Sequence, residues 1–316
     1  IRTLFELVAQ QRPQLLVLED LHWAEPTLLE LLAYVLGGRT DAPVLIIASA
    51  RPELLESDAD MLRQGSVLEL EPLTDRESER LLVHLLGAEA PPDGVAAVLR
   101  TAEGNPLFLE ETVRMLTDRG GFEPGQEADF EHLPVPSSLQ SLIGARLDRL
   151  DPHEKEVAQR ASVVGQVFWT GAVSHLDGDA DVEPQLDALE RRDVVLRRAH
   201  SAVAEEPEWE FRHVLIRDVA YSRLPKRRRA TLHVRCAEWI SALPAAQDLV
   251  EIVAYHLEQS CLTAREVGFG DVEPPVAEAI EALTRAAQKA ERREGLREAE
   301  RFVGRALALA APGTDA

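Results

Sequence analysis

The chain has 316 residues, 45% hydrophobic and 28% charged, with 55 acidic against 34 basic side chains and a net charge of −21. Such a composition is that of ordinary globular domains, and this length accommodates two or more of them; the negative balance repels phosphate backbones and argues against nonspecific nucleic-acid binding by the chain as a whole. The two cysteines, Cys236 and Cys261, make neither a disulfide framework nor a metal site between them and suit a reducing cytoplasm, while apolar runs such as Val44 to Ala48 are far too short to span a bilayer.

In chain order, Leu4, Leu7 and Val8 predict a helix, Leu15 to Leu18 a strand, and Pro26 to Leu36 a helix with proline in its first turn. Val44 to Ala48 is a second, nearly continuous aliphatic strand, and Val67 to Leu70 a third. Strand, helix and strand with buried-type strands predict a parallel α/β sheet. From Thr74 the character changes. Thr74 followed by Glu77 is a capping pair that opens a helix through Leu81, Leu82, Leu85 and Leu86. Further helices are expected over Asp93 to Ala102 and Pro106 to Asp118, and the Gly-, Pro- and acid-rich stretch from Gly120 to Pro136 reads as a linker.

Ser137 and Ser138 then cap helices that carry Leu139, Leu142, Ile143, Leu147 and Leu150 in register. Between 137 and 225 several short helices precede a β-ribbon, Val194 to Leu196 and Trp209 to Phe211, which flanks the polar stretch His200 to Pro207. Helices followed by a hairpin form a winged-helix pattern. Beyond 229 the chain reads as helix pairs; Ala277 to Ala290 and Leu296 to Leu309 are joined by a turn at Glu294 and Gly295, like a tetratricopeptide unit.

Two places carry chemistry in this reading. The strand Leu15–Leu18 runs into Glu19 and Asp20, and the next strand runs into Ser49, Ala50 and Arg51. Ligands of open α/β sheets bind at the carboxyl ends of the strands, so two acids and an arginine there suit a Mg²⁺-nucleotide whose γ-phosphate meets a guanidinium. No Gly-x-x-x-x-Gly-Lys-Ser/Thr phosphate loop occurs in the sequence, and the chain starts at Ile1. The expectation is therefore a piece of a larger ATPase cut downstream of that loop.

The order Leu18-Glu19-Asp20-Leu21-His22-Trp23-Ala24-Glu25, Ala48-Ser49-Ala50-Arg51-Pro52-Glu53 and Gly104-Asn105-Pro106-Leu107-Phe108-Leu109-Glu110-Glu111 resembles bacterial signalling ATPases of the STAND class. In these an AAA-like ATPase domain is followed by a winged helix and tetratricopeptide repeats. The resemblance is nearest to the ATPase parts of multidomain adenylate/guanylate cyclases, and the ATPase region of LuxR-type transcription regulators is very similar. It implies that Glu19 and Asp20 are the Walker B acids at Mg²⁺ and the hydrolytic water. Their order is the reverse of the usual one, which leaves open which acid does which task. It further implies that Arg51 is the sensor arginine and that Gly104, Asn105 and Pro106 form the lid motif near the adenine of ATP or ADP. Phe211-Arg212-His213-Val214-Leu215-Ile216-Arg217-Asp218 resembles the winged-helix motif whose histidine, here His213, touches the β-phosphate of ADP; Val214 replaces the aspartate that usually follows it.

The expected fold is α/β plus α: half of a P-loop sheet over 1–72, a helical lid and linker over 73–134, a winged helix over 135–229 and a tetratricopeptide-like region over 230–316. The implied function is a cytoplasmic nucleotide-dependent switch that relays a signal to an output domain, with a nucleotide cyclase first and a LuxR-type regulator or a non-hydrolysing interaction scaffold as alternatives. Partners would be ATP and proteins docking on the repeats, without membrane or nucleic acid, and a nucleotide-dependent oligomer is allowed. Without the phosphate loop and the strand before it, which would lie between 44–48 and 67–70, the piece alone is expected neither to hydrolyse ATP nor to pack its sheet. Pro225-Lys226-Arg227-Arg228-Arg229, the strongly basic run, has no interleaved aromatics and reads as a solvated helix face or as salt-bridge partners. His22, Trp23, His233 and Cys236 lack metal-ligand spacing.

Overall fold

A computed structural model describes residues 2–24, 26–37, 42–57, 65–86, 98–118, 138–176, 178, 181–267 and 274–310. The chain divides into two compact units, Ile1–Glu71 with Ala290–Glu298, and Pro72–Lys289 with Ala299–Ala316. Its architecture is mostly helical, with two small sheets.

In the first unit, α1 (Arg2–Gln11) leads into β1 (Gln14–Leu18), and α2 (Pro26–Leu36) leads to β2 (Val44–Ala48) and α3 (Pro52–Ser57). The two strands pair in parallel with Leu15 opposite Leu45, Val17 opposite Ile47 and Leu18 opposite Ala48. That is the strand–helix–strand unit the sequence predicts. Leu21, Leu29, Leu32 and Leu54 form its core, with Leu18 and Ala33 packed against them.

Two expectations fail here. The strands are not buried on both faces: Leu15, Val17, Leu45 and Ile47 are 51–62% exposed, so burial alternates as in a one-sided sheet. Val67 to Leu70 joins no ladder, and Val67, Leu68 and Leu70 stand exposed. An apolar run becomes a strand only where a neighbour accepts its N–H groups and donates to its carbonyls, and no described strand does so there.

The second unit begins with α4 (Asp75–Leu86), opened by the expected capping box: Thr74 N donates to Glu77 Oε2 at 2.9 Å and Glu77 N to Thr74 Oγ1 at 3.4 Å. Residues 98–102 are helical, α5 (Pro106–Asp118) follows, and the expected 120–136 linker lies outside the described residues. Leu82, Leu86, Val98, Ala102, Phe108, Leu109, Val113, Met115 and Leu142 share one core.

Next come α6 (Leu139–Asp148), capped by Ser138, and α7 (Pro152–Val164), opened by an Asp151–Glu154 capping box with Pro152 at its first position. Around α7 lie β3 (Val167–Trp169), α8 (Thr170–Leu176), α9 (Glu183–Arg191), β4 (Val195–Arg197), β5 (Glu208–Phe211) and α10 (Val214–Ser222). The three strands form an antiparallel sheet in the order β3–β5–β4. The ribbon expected from sequence is its β4–β5 half, and β3 adds a third strand. Phe168 and Trp209 are fully buried on it, and Phe168 packs on Phe211 with ring centroids 5.3 Å apart.

Four α-helices follow among the described residues: α11 (Lys226–Ser241), α12 (Val250–Val267), α13 (Val276–Arg292) and α14 (Leu296–Ala310). The α13–α14 turn lies where the sequence predicts it. Gly295 N donates to Ala290 O and Glu294 N to Glu291 O, both at 2.9 Å, with Glu294 at φ 63°; this is the hydrogen-bond pair of a Schellman cap with a non-glycine residue in the left-handed position.

Candidate functional site

The first candidate lies at the carboxyl edge of the parallel pair. Because β1 and β2 end level, Glu19 and Asp20 leave one strand beside Ser49, Ala50 and Arg51 leaving the other. Three bonds tie the exits: Ser49 N to Leu18 O at 2.9 Å, Leu21 N to Ser49 O at 2.8 Å, and Asp20 N to Ser49 Oγ at 3.1 Å. Asp20 takes the left-handed conformation, φ 53° and ψ 42°, which aspartate tolerates better than most residues, and it starts the short 3₁₀ turn Leu21–Trp23.

Glu19, Asp20 and Arg51 are exposed, and His22 Nδ1 lies 3.9 Å from Asp20 Oδ1. Among the described residues no three His, Cys, Asp or Glu side chains converge as a metal cage. Two adjacent carboxylates suit a Mg²⁺ that keeps waters and phosphate oxygens for most of its shell.

Gly104, Asn105 and Pro106, in the second unit, build the start of α5. Asn105 Oδ1 accepts from Leu107 N at 3.0 Å and Phe108 N at 3.3 Å, and Pro106 occupies the first helical position, where its missing N–H costs nothing. Gly104 sits at φ 73° with its carbonyl accepting from Leu73 N at 2.9 Å, and a Cβ there would come within 2.3 Å of Leu73 O. The three residues thus form a capped helix start, with the Asn105 side-chain carbonyl engaged in the cap.

His213 caps α10. Its Nδ1 accepts from Leu215 N at 3.1 Å, so a neutral ring carries its proton on Nε2, which becomes a donor for an oxygen ligand.

Other polar groups of the second unit gave no sequence signal. His233 Nδ1 and His256 Nδ1 are 2.8 Å apart, Tyr221 Oη is 2.9 Å from His233 Nε2, and Cys236 Sγ is 3.4 Å from His256 Nε2. His233, Cys236 and His256 are fully buried. Burial, then the neighbouring imidazole and the Arg217 and Arg229 guanidiniums, push His233 down to about 2; burial and Arg217 lower His256 to about 4. Burial also raises the Cys236 thiol far above its ordinary range. The network is a neutral core element. Helical spacing could have paired His233 with Cys236, but His256 arrives from another helix.

Arg146 and Glu111 form a buried ion pair at 2.5 Å, 9% and 4% exposed. Glu208, buried at the sheet, accepts from Trp169 Nε1 at 2.9 Å, Ala202 N at 2.8 Å and Arg198 Nη1 at 2.8 Å.

A family described as a domain of unknown function (DUF8739) matches residues 74–120. An uncharacterized protein of Rhizobium meliloti (strain 1021) is 25% identical over 315 residues, a match that takes in 96% of this chain and 29% of that protein. The chain therefore spans under a third of the length of the curated relative it matches. Among solved structures, a Signal Transduction ATPase with Numerous Domains protein with a tetratricopeptide repeat sensor, from Pyrococcus horikoshii, is similar at 13% identity and a TM-score of 0.47, over 98% of this chain and 52% of that one. No helix of the described residues is long and apolar enough to cross a membrane.

Proposed function

We propose that this chain belongs to an ATP-binding signal-transduction ATPase and works there as a nucleotide-dependent switch on an output domain. One observation carries the reading: parallel strands end level and bring Glu19, Asp20 and Arg51 to one carboxyl edge, braced through Ser49. In this reading the edge is the second half of a P-loop ATPase site, with the phosphate loop in sequence beyond this chain. The acids hold Mg²⁺ and orient water, and Arg51 meets the γ-phosphate. Gly104–Pro106 form the lid, β3–β5 with α7 to α10 a winged helix, and α11 to α14 the start of a tetratricopeptide-like region. The His213 Nε2–H donates to the β-phosphate of ADP in the resting state. Exchange of ADP for ATP breaks that bond and biases a two-state element. A nucleotide cyclase is the output this reading favours, before a LuxR-type DNA-binding output.

The test is ATP turnover and bound ADP in the longer protein containing this chain. Asp20→Ala and Arg51→Ala are each expected to lower kcat by about 10²–10⁴-fold, the range for removing one acid–base or charge-stabilising group. His213→Ala should release ADP faster while retaining turnover. Undiminished turnover in both edge variants sinks the reading.

The second reading is a non-hydrolysing interaction scaffold. What favours it is the outer face of α14, where Val303 and Leu307 are 46% and 66% exposed one turn apart. Unchanged signalling with Asp20→Ala and Arg51→Ala, together with loss on Val303→Asp/Leu307→Asp, would select it.

A further inference from the structure

The basic run that opens α11 is out of keeping with both its helix and its chain. Four cations, Lys226, Arg227, Arg228 and Arg229, occupy the first turn, no acid accompanies them, and no side chain caps the N-terminus. Positive charge at that end opposes the helix dipole, and uncapped N–H groups there favour an anion. In a chain of net charge −21 such a cluster would be expected to find acids.

Among the described residues, only part of it does. Lys226 Nζ pairs with Glu266 at 3.0 Å, and Arg229 lies over the Tyr221 ring, 4.9 Å from its centroid, while Nε donates to Leu224 O at 3.1 Å. Arg227 and Arg228 instead line a cavity of about 490 Å³ with Arg160, Arg235, Leu176, Leu232, Thr231 and Gly178. No described carboxylate lines it.

The wall is held in place. Arg160, 6% exposed, donates to Glu156 at 3.0 Å, and Arg235 Nη1 donates to Leu176 O at 3.2 Å. Leu176 and Leu232 are buried at 2% and 4%, giving the arginines an apolar backing that strengthens charge contacts. Arg227, Thr231 and Arg235 follow at four-residue steps on one face of α11 and span about 12 Å of helix at 1.5 Å per residue.

We propose that this cavity is a binding site for a small anion with two or more phosphoryl groups, an inorganic polyphosphate or a nucleoside di- or triphosphate, which acts as an effector. Guanidiniums match phosphate oxygens in a planar, two-pronged fashion that lysines do not. The volume suits a small molecule. It lies on α7, α8 and α11, its lining does not include Asp20, Arg51 or His213, and it does not rest on the ATPase reading.

The probe is sodium pyrophosphate, titrated calorimetrically into the full chain at low salt. Micromolar binding is expected, and Arg227→Gln/Arg228→Gln should weaken it about 100-fold, or about tenfold for each guanidinium removed, with an unchanged near-ultraviolet circular dichroism spectrum. Arg235→Gln, in the third turn, should weaken it about tenfold and keeps the test decisive if the double variant misfolds. ATP binding tighter than pyrophosphate would identify a nucleotide as the ligand; equal affinity would identify the polyphosphate itself.

Three results would overturn the proposal. One is the absence of binding at millimolar pyrophosphate. Another is binding that Arg51→Ala abolishes and Arg227→Gln/Arg228→Gln leaves intact, which would report the carboxyl-edge site instead. The last is binding that appears only in Asp177→Asn/Asp179→Asn. Those two aspartates flank Gly178 in sequence, and that result would make the arginines partners of the chain's own carboxylates.

Discussion

The two sheets of this protein start from similarly apolar strands and end in opposite conditions. In the parallel pair, Leu15, Val17, Leu45 and Ile47 project from one face and remain more than half exposed. In the antiparallel sheet, Phe168, Trp209 and Phe211 are at most 1% exposed, and even Glu208, the glutamate that begins its central strand, is buried with three donors around it. Strand sequence sets what a face could bury; the helices packed on it decide whether it does. The antiparallel sheet is a completed core, so its residues should dominate stability. The exposed face of the parallel pair should contribute little, and its importance should lie at the strand ends.

The largest effect should follow Trp209→Ala. Removing a fully buried indole that also donates from Nε1 to Thr170 at 2.9 Å should cost about 3–5 kcal/mol in urea unfolding, the usual range for a large aromatic core truncation. A loss under about 1 kcal/mol would mean the antiparallel sheet is not the stabilising core.

Arg146→Ala tests the same unit through charge. It leaves Glu111, 4% exposed, without its ion-pair partner, and loss of one member of a buried pair costs about 3–5 kcal/mol. Arg146→Met/Glu111→Leu should recover most of that, which distinguishes a stranded charge from weakened packing.

Acid should then act on the second unit through His233 and His256. Both are held neutral in the fold, below their ordinary 6.5, so the unfolded chain binds more protons between about pH 6.5 and 4 and stability falls as pH drops through that window. Facing them are Tyr221, Tyr255, Cys236 and the Arg217 and Arg229 cations. From 6.5 to about 4 at His256 alone, the loss is about 3 kcal/mol. Urea unfolding at pH 7 and pH 4.5 measures it, and His233→Leu/His256→Leu should flatten the slope. Asp148, held down to about 2 by bonds from Arg223 and Lys155, contributes in a separate window below its ordinary 3.8.

How much of this could be read beforehand depended on locality. β1 and β2 were legible because continuous aliphatic runs are bounded by turn residues, and the starts of α4, α5 and α6 because capping is written within four residues. Glu19, Asp20 and Arg51 stood out for the same reason: each lies within three residues of the end of a strand. Val67 to Leu70 misled because pairing needs a neighbour from elsewhere in the chain. The His233–His256 contact and the arginine-lined cavity escaped because each joins residues from separate helices, as Arg160 meets Arg227 only after α7 packs on α11. The basic run itself was visible, but its division between Tyr221, Glu266 and the cavity was not.

Gly104→Ala gives a smaller, local effect. The residue sits at φ 73° with a Cβ site 2.3 Å from Leu73 O, so alanine must both strain the backbone and push the segment before α4 aside. A loss of about 2 kcal/mol is expected, within the range for a forced left-handed residue. A neutral result would show that this turn relaxes freely.

The smallest effect separates the two sheets most directly. Leu45→Thr/Ile47→Thr keeps β-branched or β-compatible residues in the strand while removing apolar surface from positions that are 58% and 51% exposed. If the face is solvated, urea stability should change by no more than about 0.5 kcal/mol, and light scattering should show less self-association as the exposed patch shrinks. The opposite result, a loss above about 1 kcal/mol, would mean that these side chains are removed from water in the folded molecule. In that event the parallel pair, like the antiparallel sheet, is a core element, and its covering layer is what remains to be found.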